Sequence, residues 1–204
     1  MKQAVLTAGI ALAVLAACQT TEGPRTIEGT SVTFTDWRDI SESESSFQFG
    51  GEDRPAAMNW QYRMRDGGRV LNERVRFASP TSYPISAAYM ETAQAGGIFN
   101  ERSAQHVRDR AAARDTFGKM FGGARAIEVK EGANRNGRFL YAVAEFGPNH
   151  CIAAVQGLEG DPMGAYKQLP GDHFQAVVTF SFCDAKSESE LLNVFASFRP
   201  KLHS

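Results

Sequence analysis

The sequence has no surplus of charge of either sign: 22 Lys and Arg stand against 23 Asp and Glu, a formal net charge of −1. Affinity for nucleic acid rests mainly on phosphate neutralisation, so this balance excludes a general electrostatic grip on it. Cysteine is scarce, with 3 in 204 residues, and none stands in a Cys-x-x-Cys pair. The 4 histidines (His106, His150, His173 and His203) include no pair at i+3 or i+4. Zinc sites usually draw their ligands together through such short spacings, so no metal is expected. Phosphate loops, dinucleotide fingerprints and the Gly-x-Ser-x-Gly elbow are missing, and no cofactor is expected. At 43% hydrophobic and 22% charged residues, the composition is that of one ordinary globular domain, which excludes wholesale disorder.

The one long apolar run stands at the start. Residues 1–18 read MKQAVLTAGIALAVLAAC, in which Lys2 precedes a stretch from Ala4 to Ala17 broken only by Thr7 and Gly9. Those 14 residues are too short to cross roughly 30 Å of hydrocarbon and have the length of a signal-peptide core. The run ends in Leu15-Ala16-Ala17-Cys18, which resembles the lipobox of bacterial lipoproteins: a leucine-like residue, two small residues, then cysteine. The resemblance implies cleavage before Cys18, a diacylglycerol thioether on its sulfur and acylation of the new amino group. Two or three acyl chains hold a protein to a bilayer durably where one does not. Gln19 follows, not the aspartate that tends to retain such proteins in the inner membrane, which favours the outer membrane. The alternatives are an ordinary signal peptide beside a chance cysteine and a hydrophobic N-terminal helix of a cytoplasmic protein. Loss of residues 1–17 removes Lys2 alone and leaves 21 basic against 23 acidic residues, or −2.

Residues 18–30, polar with Gly and Pro after Cys18, read as a lipidated cysteine and tether, and 31–204 as a single domain. Strand signals dominate that domain. Val32 and Phe34 alternate with threonines, and Phe47 and Phe49 make a short strand. The clearest hairpin is 58–77, where Gly67-Gly68 supply a primed turn. That turn sets Met64 opposite Leu71, Trp60 opposite Val75 and Met58 opposite Phe77, sorting the apolar residues to one side. Residues 85–93 suit a strand or a short helix, the strand being preferred, and a helix opens at Ser103 and closes at Gly122-Gly123. Ile127 and Val129 start a meander that turns at Asn136-Gly137 and again at Gly147-Pro148-Asn149, and 175–183 is the last strand. A final helix begins at Ser187 with Glu190 as its capping-box partner, buries Leu191, Leu192, Val194, Phe195 and Phe198, and ends at Pro200. The expected class is α+β: an antiparallel sheet of hairpins and meander with about two helices packed on one or both faces. The order of elements and the closing LLNVFASFR helix resemble PsbP/Mog1-type domains.

Two cysteines remain in the mature chain. Cys151 begins one strand and Cys183 ends another, so antiparallel neighbours would place them opposite each other as a structural disulfide. The same register gathers Ile152, Ala154 and Leu158 with Phe182, Phe180 and Val178. Among the basic residues 16 are Arg and 6 are Lys. Arg63, Arg65, Arg74 and Arg76 share the hairpin face opposite Trp60, interleaved with Asn59, Gln61 and Asn72. Guanidinium forks on a flat strand pair suit phosphates, carboxylates or an acidic partner; the bland alternative is a solvated face that discourages edge aggregation. Arg110 and Arg114 fall in the helical stripe of Val107, Phe117 and Phe121, where rim arginines that snorkel or pair with a carboxylate are expected rather than a ligand site.

Together these features describe a lipid-anchored, periplasm-facing envelope lipoprotein. Its domain reads as a non-catalytic binding or assembly module for an envelope protein, lipid or glycan, with the membrane itself as a partner through the anchor. The alternative is a periplasmic enzyme or small-ligand binder using the loop around Asp172 and His173, since a Ser/His/Asp triad needs no closeness in sequence.

Overall fold

Alternation at period two places one side chain in the core and the next outside, and strands account for about half of the described residues. The computed structural model describes residues 25–27, 30–51, 54–65, 70–93, 105–122, 127–158 and 176–201. The N-terminal strands are β1 (Arg25–Ile27), β2 (Thr30–Val32), β3 (Arg38–Ile40), β4 (Phe47–Phe49), β5 (Ala57–Arg65), β6 (Val70–Phe77) and β7 (Ala87–Ala93). The helices α1 (Gln105–Arg108) and α2 (Arg110–Met120) follow, then β8 (Lys130–Asn134), β9 (Gly137–Phe146), β10 (Asn149–Leu158) and β11 (Ala176–Asp184). Helix α3 (Glu188–Ala196) and β12 (Phe198–Pro200) come last. Eight strands form one antiparallel sheet in the order β3-β5-β6-β7-β11-β10-β9-β8. The fold is therefore a single α+β domain: two meanders joined side by side along β7 and β11.

The sheet separates two cores. On one face α3 packs over β10 and β11, and Phe47, Phe49, Phe77, Phe180, Phe195 and Phe198 form an aromatic cluster with Trp60 and Ile152. Edge-to-face contacts such as Phe49–Phe77 at 5.5 Å and Phe139–Phe195 at 5.0 Å order these rings. On the other face α2 lies over β9 and β10, and Phe117 and Phe121 cover Leu140, Val155 and the two cysteines. A buried carboxylate ties the aromatic side together. Glu73, 3% exposed, accepts the Ser46 backbone N–H at 3.0 Å and the Ser46 hydroxyl, holding β4 against β6.

Register follows the sequence reading closely. Met64 pairs with Leu71 and Trp60 with Val75; a bulge between Ala57 and Asn59 then gives Phe77 to Ala57 rather than Met58. Ser187 caps α3, and the Glu190 carboxylate accepts both its backbone N–H (2.8 Å) and its hydroxyl (2.6 Å).

Five local expectations need correction. The helix expected from Ser103 is broken at Asp109, whose φ of −103° and ψ of 118° leave the helical region. Its carboxylate accepts the Ala111 N–H at 2.7 Å and so starts α2 as an N-cap, a role aspartate fills better than a helix interior. Phe198 is buried as expected but belongs to β12, paired with Phe49, because the chain leaves the helix at Ser197. Ile127 and Val129 enter the α2-side core ahead of the meander, whose first strand begins at Lys130. Its first turn falls at Arg135-Asn136, one residue early, with Gly137 at φ 109° supplying the positive φ. Finally, the far end of the stretch read as a tether carries β1, which pairs with β2.

Candidate functional site

The arginine-rich hairpin face exists as the register requires. Across β5 and β6, Asn59 pairs with Arg76, Gln61 with Arg74, Arg63 with Asn72 and Arg65 with Val70, all on the face opposite Trp60. It is not an open row of guanidinium groups. Residues 34–37 lie along β5: Thr35 donates its N–H to the Met64 carbonyl at 2.9 Å, and its hydroxyl oxygen accepts the Met64 N–H at 2.9 Å. That arrangement lays two aromatic rings on the arginines. The Arg63 guanidinium sits 3.9 Å from the Phe34 ring and 4.4 Å from the Trp37 ring, and Arg74 lies 3.9 Å from Trp37 on its own account.

Edge-on hydrogen bonds complete the layer. Arg74 donates through Nε and Nη2 to the Gln61 side-chain oxygen at 2.8 and 2.6 Å, and Gln61 Nε2 donates to Asp39 at 2.8 Å. Arg65, with its side chain 12% exposed, faces Glu91 at 3.5 Å. Asn72 beside Arg63 is buried, and its Nδ2 finds no hydrogen-bond partner. Arg76 is exposed. So three of the four arginines are held by neighbours, and the stacked aromatics, Trp37 above all, are what the sequence reading missed. The only available signal was a tryptophan three residues after a phenylalanine, ahead of an arginine-rich strand.

The cysteines meet as the register predicts. Cys151 and Cys183 are direct cross-strand partners on β10 and β11, bonded at 2.05 Å with Cα atoms 4.1 Å apart and both side chains fully buried. That Cα separation lies just below the usual disulfide range and suits residues directly opposite on adjacent strands. The bond lies under α2 in the smaller core.

Two of the clefts between described residues carry charged groups. One, of about 510 Å³, opens between α1 and the β8–β9 hairpin and is lined by Val107, Arg108, Glu131, Asn136, Arg138 and Leu140 among others. Arg110 pairs with Glu131 at 3.4 Å and Arg138 donates to it at 2.5 Å, which together hold the Glu131 carboxyl below its usual range, Arg138 more strongly. Of the two outcomes open to the helical arginines, Arg110 pairs with a carboxylate, while Arg114 is exposed. The other cleft, of about 700 Å³, brings together Glu128, Lys130, Glu145, His150 and Glu188 near Phe121 and Val143. There Lys130 donates to Glu188 at 2.8 Å, a bond that raises the lysine above its ordinary value. Tyr141 is raised too, mainly by burial, and its hydroxyl donates to Glu188 at 3.4 Å. His150 Nδ1 lies 3.0 Å from the Lys186 carbonyl oxygen, so Nδ1 carries the proton. Lys130, Tyr141 and His150 are thus each held by a neighbouring oxygen.

Among the described residues no three His, Cys, Asp or Glu side chains converge as metal ligands would. Nor, among them, is any helix long and apolar enough to cross a membrane. Cys18, Asp172, His173 and His203 lie outside the described residues, as does the side chain of His106. No family model, no curated protein and no solved structure matches this chain.

Proposed function

We propose that this protein is a bacterial envelope lipoprotein whose single α+β domain binds or supports another envelope component without catalysing a reaction. The observation that carries the reading is Leu15-Ala16-Ala17-Cys18 at the end of a 14-residue apolar run, where each residue type suits peptidase access or thioether formation. The Cys151–Cys183 bond supports it from a second direction, since lasting disulfides belong to oxidising compartments such as the periplasm. Gln19 favours the outer membrane. The partner is an envelope protein, lipid or glycan of negative charge, met through exposed arginines such as Arg76.

Labelling cells with a fatty-acid analogue tests the anchor. The native chain takes up label and fractionates with membranes, and Cys18→Ser loses both properties together. Membrane retention of the serine variant would overturn the reading. Crosslinking in intact envelopes, compared between the native protein and a form lacking residues 1–18, identifies the partner.

A further inference from the structure

Strand β9 outruns the strand on its outer side. Its ladder with β8 stops where Tyr141 pairs with Lys130, whereas its ladder with β10 runs on to Phe146. Two tight turns fix where the backbone groups beyond Tyr141 point. Residues flanking a two-residue hairpin loop form a hydrogen-bonded pair, and such pairs alternate along an antiparallel ladder. Counting back from the Phe146–Asn149 pair turns Phe146, Ala144 and Ala142 toward β10. Counting on from the Asn134–Gly137 pair turns Gly137, Phe139 and Tyr141 toward β8. Both counts leave the N–H and C=O groups of Val143 and Glu145 facing outward, and among the described residues no strand lies beside them.

This open edge lines the cleft of about 700 Å³, with Ile127 and Glu128 across from it. Its two faces differ as period two requires. Glu145 shares the α3 face with Val143 and Tyr141, while Ala144 and Phe146 belong with Phe121 and Ile127 on the α2 face. Glu128, Glu145 and Glu188 line the cleft with Lys130 and His150, the lysine already bonded to Glu188 and the imidazole to the Lys186 carbonyl. The lining is therefore more negative than positive, and Glu145 is exposed on it. We propose that the outward edge of β9 receives an extended segment of a basic partner protein, added antiparallel as a further strand. A basic side chain then stands beside Glu145, and its apolar neighbour in sequence turns to Phe146 and Phe121. A second copy of this chain suits the edge less well, since two β9 edges paired through Val143 and Glu145 bring their Glu145 carboxylates together diagonally. This contact goes beyond the one made through exposed arginines, being of opposite charge, and it does not depend on the anchor.

The test titrates the full chain, in a neutral maltoside detergent, into a fluorescently labelled Thr-Lys-Val-Lys-Val-Lys-Thr peptide and reads anisotropy. Saturable binding is expected. N-methylation of the lysine amides weakens it at least about tenfold, because lysines opposite Val143 and Glu145 exchange both backbone hydrogen bonds with them. Glu128→Gln/Glu145→Gln weakens it about tenfold as well, and an unaltered thermal unfolding curve shows that this variant folds. Should it not fold, the two forms of the peptide still decide. Bound peptide also slows hydrogen exchange at the Val143 and Glu145 amides. The proposal is overturned by equal binding of the N-methylated peptide, by equal binding of a peptide with Glu in place of Lys, or by a folded double variant that binds like the parent. It is overturned too if those two amides exchange unchanged under saturating peptide. A dimer seen by sedimentation without peptide, with the same amides already protected, gives the edge to a second copy and overturns it likewise. Because the titration does not need acylation of Cys18, this site and the anchor fail separately, the latter through fatty-acid labelling.

Discussion

Reducing the Cys151–Cys183 bond destabilises the domain by an amount that follows from its place in the chain. The two residues are 32 apart, and closing a loop of that size removes about 12 cal/mol/K of entropy from the unfolded chain, or about 3.7 kcal/mol at 25 °C. For a chain of this size each kcal/mol moves the melting temperature by about 2–4 °C, so reduction lowers it by roughly 7–15 °C. Comparing oxidised with reduced native protein isolates the cross-link, since the packed atoms are otherwise the same. The double variant Cys151→Ala/Cys183→Ala loses more, because both sulfurs are fully buried against Phe117 and Phe121 and their removal leaves a void. Denaturant unfolding at equilibrium, followed by circular dichroism in both redox states, provides the measurement. A reduced form within about 1 kcal/mol of the oxidised one would refute the reasoning, as would native oxidised protein whose two cysteines take up a thiol label.

Other positions give equally direct readouts. Trp37→Ala removes the ring shared by Arg63 and Arg74 and costs about 1–2 kcal/mol in denaturant unfolding, at about 0.5–1 per cation–π contact plus lost packing; a loss below about 0.5 denies the stack a structural role. Gly132→Ala sets a new Cβ 2.5 Å from the Phe139 ring, itself wedged against Phe195, and lowers stability by about 1–3 kcal/mol; a neutral outcome shows that the ring shifts freely. Glu190 is held below its usual value by the Ser187 hydroxyl and backbone N–H, so its contribution to α3 is present above pH 4.5 and fades as pH falls through the lowered value. Hydrogen-exchange protection factors across residues 188–191, corrected for the intrinsic rate at each pH, therefore fall on acidification, and Glu190→Gln removes that pH dependence.

The strand half of the fold was readable because period two is strict. Once Gly67-Gly68 was placed in the turn, pairing Trp60 with Val75 followed, and one bulge near Ala57 was the only slip. The cysteine pair was readable for the same reason, since a strand start meets a neighbouring strand's end. The helical errors arose where spacing imitates continuity. Phe198 stands three residues after Phe195, as a helical stripe would have it, yet its partner is Phe49 from far earlier in the chain. Val107 and Phe117 share a stripe across Asp109, and only the aspartate's competition for backbone N–H groups interrupts it. The arginine face was half legible. Its register is local, but Trp37 reaches Arg63 and Arg74 only because residues 34–37 fold back along β5, and no short-range pattern announces such a return.

Strand β11 sits between β7 and β10 although it is the last of the eight to be made. Until residues 176–184 arrive, the two meanders have no shared edge, and each presents an unpaired strand on the side where the other will lie. A chain emerging N-terminus first thus holds two incomplete halves that only its final quarter can zip together, a late, long-range step of the kind that slows folding and invites misassociation. Cys183 rides on that closing strand. The cross-link therefore fastens that strand to one half of the sheet: it ties β11 to β10, while hydrogen bonds and packing hold its ladder with β7.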